Sequence, residues 1–315
     1  MLIVTGPNGN VGTELVEALV AAGNIPFRIA AHTPSKIRAR YGDRAPAVAF
    51  DFGDRATWGP ALAGGDTLFL LFPLPHPRTA KTRMVPFVEA AAAAGIKHIV
   101  YVSVPGAERL KFVPHHQVEM ALERSGVGWT VLQASYFAQN LTRAISTHLV
   151  DIALHDEIFI PGGRGRTSFL DSRDLAQAIL NVVRDPQAHR ARRYLVSGPE
   201  LLDFHDVARI MTEELGRPIR YSDPSMIRFL WRLKRRGVGA DTLFFMFMVY
   251  MLTRRGKNAV MSDALPKLLG RAPRTMRDYV RDYAAHWTRD FVSRLEKVET
   301  PGFRAAEERL KAKNI

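Results

Sequence analysis

The chain of 315 residues is long for one compact core, so one large domain or two closely associated ones is expected. It contains no cysteine, which excludes disulfides, thiolate catalysis and cysteine-based zinc or iron–sulfur sites and fits a reducing, cytoplasmic compartment. The net charge of +13 is uneven: residues 1–225 carry 24 Lys and Arg against 22 Asp and Glu and residues 226–315 carry 20 against 9, so the basic character belongs to the C-terminal third.

The first apolar run, Leu2–Thr5, starts so early that no signal peptide is expected. It ends in Gly6-Pro7-Asn8-Gly9-Asn10-Val11-Gly12, and an amphipathic stretch, Val11–Ala22, follows at once. This is the layout of a strand feeding a tight turn into a helix N-terminus, where backbone N–H groups and the positive helix end can meet a dinucleotide pyrophosphate. Gly6 suits the turn, Gly9 the approach of a phosphate, and Gly12 the close packing of helix on strand. Further strands are predicted at Phe27–Ala31, Ala47–Phe50, Thr67–Phe72, His98–Val104 and Trp129–Ala134. Helices are predicted at Arg55–Leu62, Ala80–Ala94 and Pro114–Ser125, and the link between the second and third strands is less regular. Apolar strands alternating with helices mean right-handed crossovers and a parallel sheet covered on both faces.

Beyond residue 135 the rhythm breaks. Glu157–Pro161 is predicted as a short strand, residues 162–165 as a turn, Leu175–Arg184 as a helix with Asp171 and Asp174 as its capping groups, and Arg193–Ser197 as a strand. Helices then dominate, at Phe204–Leu215, Ser225–Arg235, Ala240–Arg254, Ser262–Leu268 and Thr275–His286. The longest apolar run, Leu243–Leu252, is too short to span a bilayer and reads as a buried or interfacial helix.

A doubly wound sheet binds its ligand beyond the carboxyl ends of its strands. The candidate positions are therefore residues 6–12, 31–36, 51–52, 72–76, 103–104 and 135–137. No acid lies between Glu17 and Asp43 to hold an NAD ribose; the second strand ends instead in Ala31-His32-Thr33-Pro34-Ser35-Lys36, with Arg38 and Arg40 beyond, so NADP(H) is favoured over NAD(H). None of the eight tyrosines has Lys four residues on, so a tyrosine–lysine proton donor is missing. His115 and Glu119, four apart at the start of a helix, share a face; His115 is either a general acid or cofactor contact, or a surface residue in a helix charge pair. The aromatic pair Tyr136-Phe137 either lines a nicotinamide pocket or is core, and the rigid segment from Pro73 to Pro77, with His76, is a pocket wall. No metal site is expected.

The chain resembles the NmrA-like branch of the atypical short-chain dehydrogenases, which holds both quinone-oxidoreductase-like enzymes and redox-sensing regulators. The likeness rests on residues 4–12, Pro34-Ser35-Lys36, Tyr101-Val102-Ser103, residues 115–119 and 125–132, residues 137–140, residues 169–176 and residues 197–200. It implies an α/β fold: a Rossmann doubly wound parallel sheet with a smaller, mainly helical C-terminal substrate domain. The NAD(P)-binding domain would comprise residues 1–137 and about 170–198, the substrate domain about 138–169 and 199–300, and residues 301–315 a charged tail. The resemblance places the phosphate turn on Gly6, Asn8, Gly9, Asn10, Val11 and Gly12, and the 2′-phosphate site on His32, Thr33 and Lys36. Adenine contacts fall on Asp51 and Phe52, and nicotinamide-side contacts on Phe72, Pro73, Ser103, His115 and Tyr136, of which His115 and Tyr136 are the candidate catalytic pair. The chain departs from its relatives at His32, often Arg; at His115, Lys in some; and at Gln133, commonly Arg.

The leading expectation is an NAD(P)H-dependent oxidoreductase transferring hydride to a quinone, carbonyl or similar small apolar acceptor, with Leu243–Leu252 and Phe229-Leu230-Trp231 over the pocket. The alternatives are a non-catalytic NADP(H) sensor that binds a protein partner, and a basic C-terminal region acting at nucleic acid or an anionic membrane. In that region Arg232, Lys234, Arg235, Arg236, Arg254, Arg255 and Lys257 flank apolar stretches, whereas Arg277 and Arg281 alternate with Asp278 and Asp282 as on a solvated helix.

Overall fold

Strands that are covered on both faces must be apolar throughout, and the six runs picked out by that rule all form strands. The computed structural model describes residues 1–73, 78–142 and 148–299. In chain order it contains β1 (Leu2–Thr5), α1 (Asn10–Ala22), β2 (Phe27–Ala31), α2 (Pro34–Tyr41), β3 (Ala47–Ala49), α3 (Trp58–Leu62), β4 (Thr67–Leu71), α4 (Val85–Ala93), β5 (His98–Ser103), α5 (Pro114–Arg124) and β6 (Gly128–Ala134). Then follow β7 (Tyr136–Phe137), α6 (Leu149–His155), β8 (Glu157–Ile158), β9 (Thr167–Leu170), α7 (Ser172–Arg184), β10 (Arg192–Val196), β11 (Leu201–Leu202), α8 (Phe204–Leu215) and β12 (Arg220–Tyr221). The last helices are α9 (Met226–Arg235), α10 (Ala240–Arg254), α11 (Ala264–Leu269), α12 (Met276–Asp282) and α13 (Arg289–Glu299). The expected wall residues 74–77 beyond Pro73, and the tail 301–315, lie outside the described residues.

The seven-stranded sheet has the order β10-β6-β5-β4-β1-β2-β3, and every pairing in it is parallel. This is the Rossmann-type doubly wound arrangement. The chain moves outward from β1 to β3, returns, and builds the other half from β4, so strand order reverses between β1 and β4. Thr5 stitches that junction: its Oγ1 donates to the Phe69 carbonyl at 3.0 Å and accepts the Leu71 N–H at 3.1 Å. The irregular link after β2 proves to be α2, whose only buried residues are Ile37 and Tyr41, so it carries little amphipathic signal. Ala80–Met84 forms a single π turn ahead of α4; Pro86, which has no N–H to donate, lies just inside that helix.

The chain divides into two compact units. The first comprises Met1–Ser135, Ser172–Ser197 and Ser262–Pro273. In it α7 packs on α1, and α11 returns to α7 through Asn181 Nδ2 donating to the Leu268 carbonyl at 2.8 Å. Asp174, in the first turn of α7, is fully buried and meets Arg271 at 2.6 Å. The second unit comprises Tyr136–Asp171, Gly198–Met261 and residues from Arg274 onward. It is mainly helical, with a three-stranded sheet ordered β11-β9-β7 and a parallel β12-β8 pair. Its core gathers Phe204, Phe229, Tyr250, Tyr279 and Trp287. Phe229 is thus core, whereas Trp231, two residues on, is exposed. No helix among the described residues is long and apolar enough to cross a membrane.

The second unit also buries charge. Asp151 in α6 takes a two-pronged guanidinium from Arg236 (Nη1 to Oδ2 2.9 Å, Nη2 to Oδ1 2.8 Å) and a further bond from Arg232 at 2.9 Å. Arg232 also reaches Glu157 at 3.1 Å, so the C-terminal half of α9 is clamped to α6 and β8. Deleting one partner of such a group strands the others without water and costs about 3–5 kcal/mol. Asp151→Ala is therefore expected to lower stability by about 3–5 kcal/mol in urea or calorimetric unfolding. Arg209→Ala, which breaks only exposed pairs with Asp206 and Glu213, should leave the midpoint nearly unchanged.

Candidate functional site

The turn after β1 lies where strand order reverses. Gly6 has φ +63°, a left-handed conformation that suits glycine, and its carbonyl accepts the Gly9 N–H at 3.1 Å. Gly12 is more constrained: a Cβ there would lie 2.0 Å from the Gly6 carbonyl oxygen. The third glycine therefore lets the helix rest on the turn itself. Thr13 Oγ1 locks the same contact by donating to the Pro7 carbonyl at 3.1 Å. Gly9 is the N-cap of α1, so no side chain caps the helix, and no acidic residue stands in its first turn. The positive end of this helix thus carries neither a side-chain cap nor an acidic side chain in its first turn.

The strand ends on either side supply the rest of the rim. His32, Thr33 and Lys36, after β2, are all exposed. Thr33 is the N-cap of α2 with Pro34 as the first helical residue, and its side chain makes no capping bond. Arg40 is not part of this group, because it pairs with Glu17 at 2.8 Å. Asp51, after β3, lies 3.7 Å from His32 Nε2; its own Oδ1 accepts the Gly53 N–H at 2.7 Å and shapes the turn. Phe52 sits edge-on to Phe50 and Phe87, with ring centroids 4.7 and 5.2 Å away.

Beyond β4 and β5 lies a polar cluster with Glu119 at its centre. This carboxylate is fully buried. It accepts bonds from Ser103 Oγ at 2.5 Å, Gln133 Nε2 at 3.2 Å and Arg193 Nε at 2.7 Å. Gln133 also donates to Glu108 at 2.7 Å, and Arg193 also pairs with Glu123. His115 and Glu119 share a helix face but use different partners, which corrects the expected i, i+4 pair. The His115 ring lies 4.6 Å from the Phe72 ring, and its Nδ1 is 2.7 Å from the Tyr101 hydroxyl. Tyr101 is fully buried, and burial holds its hydroxyl protonated by raising its pKa well above the usual value. A buried O–H needs an acceptor, so it donates to Nδ1, and the imidazole hydrogen resides on Nε2. Burial also lowers the His115 pKa to about 4, so the ring is neutral at pH 7 and is a hydrogen-bond donor rather than a store of a labile proton. Ser103 directs its O–H to Glu119.

Tyr136 belongs to the second unit. Its hydroxyl is 2.9 Å from that of Tyr250, which in turn is 2.5 Å from His148 Nε2. Tyr250 and His148 are buried, and Phe169 and Phe204 flank Tyr136. Burial raises the Tyr136 pKa to about 12 and lowers that of His148 to about 3, an effect that the nearby Arg236 cation reinforces. The result is a chain of three neutral hydroxyl and imidazole groups in an apolar setting. Tyr250 and His148 lie 114 and 102 residues apart in sequence from their respective partners, so no local spacing signals them.

A family model described as the NmrA-like family matches residues 1–257. The NAD(P)H azoreductase of Xenophilus azovorans is 28% identical over 294 residues, covering 90% of this chain and 98% of that protein. Two solved structures share the fold. The Citrobacter sp. triphenylmethane reductase complexed with NADP(H) is 21% identical, with a TM-score of 0.76, covering 89% of this chain and 99% of that one. The NADPH-dependent quinone oxidoreductase of Escherichia coli complexed with NADPH is 24% identical, also with a TM-score of 0.76, covering 90% and 99%.

The protonation state of the half-buried His115 can be read directly. A histidine-resolved NMR titration should place its pKa near 4, with no change in its ring signals between pH 8 and pH 5.5. A midpoint near the ordinary value of about 6.5 would show a solvated ring and remove the neutral-donor assignment.

Proposed function

The chain belongs to the NmrA-like family, and on that premise we propose that it is an NAD(P)H-dependent oxidoreductase that delivers hydride to a small apolar acceptor such as a quinone, carbonyl or azo compound. The observation that carries this proposal is the glycine-capped N-terminus of α1 at the strand-order reversal, a cradle that the residues of the turn keep open for a pyrophosphate. The likeness to an azoreductase along nearly the whole chain supports the redox assignment.

In this proposal the segment Gly6–Gly12, through Asn8, Gly9, Asn10 and Val11, holds the pyrophosphate, and Asp51 and Phe52 border the adenine. His32, Thr33 and Lys36 take the ribose 2′-phosphate. The exposed Lys36 ammonium and the positive end of α2 both favour an anion there, which is why NADP(H) is preferred to NAD(H). Phe72 and Pro73 wall the nicotinamide side. His115 donates from Nε2 to a cofactor carbonyl or hydroxyl, while Ser103 and Glu119 fix the helix from which it projects. The reduced nicotinamide, when bound, supplies the hydride. The acceptor then carries negative charge on oxygen or nitrogen and needs one proton. Tyr136, protonated at neutral pH, is the residue assigned to provide it, with its hydroxyl oriented by Tyr250, and water takes the place of product to return the proton to Tyr136. This arrangement dispenses with the missing tyrosine–lysine pair.

Two experiments test the proposal. NADPH and NADH are titrated against the protein and their oxidation is followed with a panel of quinones, carbonyls and azo dyes. NADPH should bind more tightly and be consumed, and Lys36→Ala should weaken NADPH by about tenfold while leaving NADH unchanged. Tight binding with no turnover of any acceptor would favour the cofactor-sensing alternative, in which a protein partner's affinity differs between NADP and NADPH. Tyr136→Phe should lower kcat by about 10²-fold with little effect on the NADPH dissociation constant. An unchanged kcat would return the proton to solvent.

A further inference from the structure

Two helices of the second unit bury one face and leave the other uncovered. In α9, Phe229, Leu233 and Arg236 are buried, whereas Ile227, Trp231 and Lys234, at the same four-and-three spacing, are exposed; Ile227 is 82% exposed. In α10, Met246, Tyr250 and Thr253 are buried, while Phe244 and Phe245 are 59% and 45% exposed. The helices meet through their inner faces, where the Phe229 and Tyr250 rings are 5.3 Å apart. Large apolar side chains left in water on consecutive helices mark an interaction surface.

The charge around them identifies its kind. Residues 226–257 hold eight Lys and Arg and a single acid, Asp241. Three of the cations have internal duties: Arg232 and Arg236 bind Asp151, and Arg254 binds Asp223 at 2.7 Å. Arg228, Lys234, Arg255 and Lys257 are exposed, and the Arg235 guanidinium lies 4.7 Å above the Trp231 ring. Aromatic and aliphatic wedges fringed by cations complement an anionic lipid headgroup region. A nucleic acid would use the cations but give no role to Ile227, Phe244 and Phe245. A second copy of the chain would bring like charges together.

We propose that α9 and α10 form a peripheral docking surface for anionic lipid bilayers, with the exposed apolar side chains entering the headgroup boundary and the exposed cations meeting lipid phosphates. This does not depend on the redox activity, and its test reads no turnover. The full-length protein is co-sedimented with vesicles of phosphatidylcholine alone and with vesicles containing about one-third phosphatidylglycerol, at low and high salt. Binding is expected to the anionic vesicles, to fall at high salt, and to be weak on phosphatidylcholine. Tryptophan emission should shift to the blue on binding, and Trp231→Phe should abolish that shift, because Trp58 and Trp287 are already buried and the half-buried Trp129, on β6, is covered by the Arg193 guanidinium 5.0 Å from its ring. The pair Arg228→Gln and Lys234→Gln should weaken binding by about 30-fold. The triple change Ile227→Ser, Phe244→Ser and Phe245→Ser should remove binding while circular dichroism and thermal melting remain those of the parent. Absence of binding to anionic vesicles at low salt would overturn the proposal. So would equal binding to both vesicle types, retention of duplex DNA in place of vesicles, or self-association that shields Trp231.

Discussion

A carboxylate removed from water must be surrounded by donors, and in the first unit that requirement falls on Glu119. Its donors come from three different strands: Ser103 from the end of β5, Gln133 from β6 and Arg193 from β10. One buried charge thereby fixes α5 against half of the parallel sheet. It also fixes His115, one turn earlier on α5, at the point where Tyr101 can donate to its Nδ1. The orientation and neutral state of this imidazole follow from the demand for hydrogen bonds around two buried side chains, neither of which need touch a ligand.

The extent to which the sequence reveals this architecture depends on how local each signal is. The strands of the parallel sheet are mostly apolar runs, broken by Arg28 in β2 and by Arg192-Arg193 in β10, and are legible to within a residue or two, as are α1, α5, α8 and α10. The two-residue strands β7, β11 and β12 are too short to show a period of two, β8 is only the first two residues of the strand expected at Glu157–Pro161, and α2 is too polar to show a period of 3.6. Among the proposed cofactor positions, the glycine turn and the segment after β2 lie at strand ends as expected, because strand-to-turn chemistry is local. The duties of Ser103, Glu119 and Gln133 are not visible in sequence, since their partners lie on other strands. Gln133 shares the Glu119 carboxylate with Arg193 of β10, which supplies a guanidinium to it. Tyr136 was identifiable by its place after β6; the Tyr250 and His148 behind it were not.

The basic C-terminal third shows why formal charge is a poor guide to surface charge. Arg277 and Arg281 alternate with aspartates in sequence, yet the structure directs them to Glu213 and Glu214 on α8, and Arg281 also meets Asp278 in its own helix. Arg232, Arg236, Arg254 and Arg271 are likewise held in ion pairs. Among the described residues of this third, exposed cations for which no ion pair is seen gather around α9 and the end of α10. Much of the arginine content thus ties together helices that are distant in sequence, while a smaller subset colours the surface.

The first unit is written into the chain in three pieces, and this has a consequence for biosynthesis. The glycine turn after β1 leaves the ribosome long before β10, residues 192–196, which completes the sheet, and α11, residues 264–269, which covers α7. A nascent chain that stops short of α11 therefore exposes the flank of α7 and lacks the Arg271 partner of the buried Asp174. The second unit's residues are interleaved between these pieces, so the strands made first wait for Arg271, and synthesis through that residue is a precondition for the native packing of the first unit.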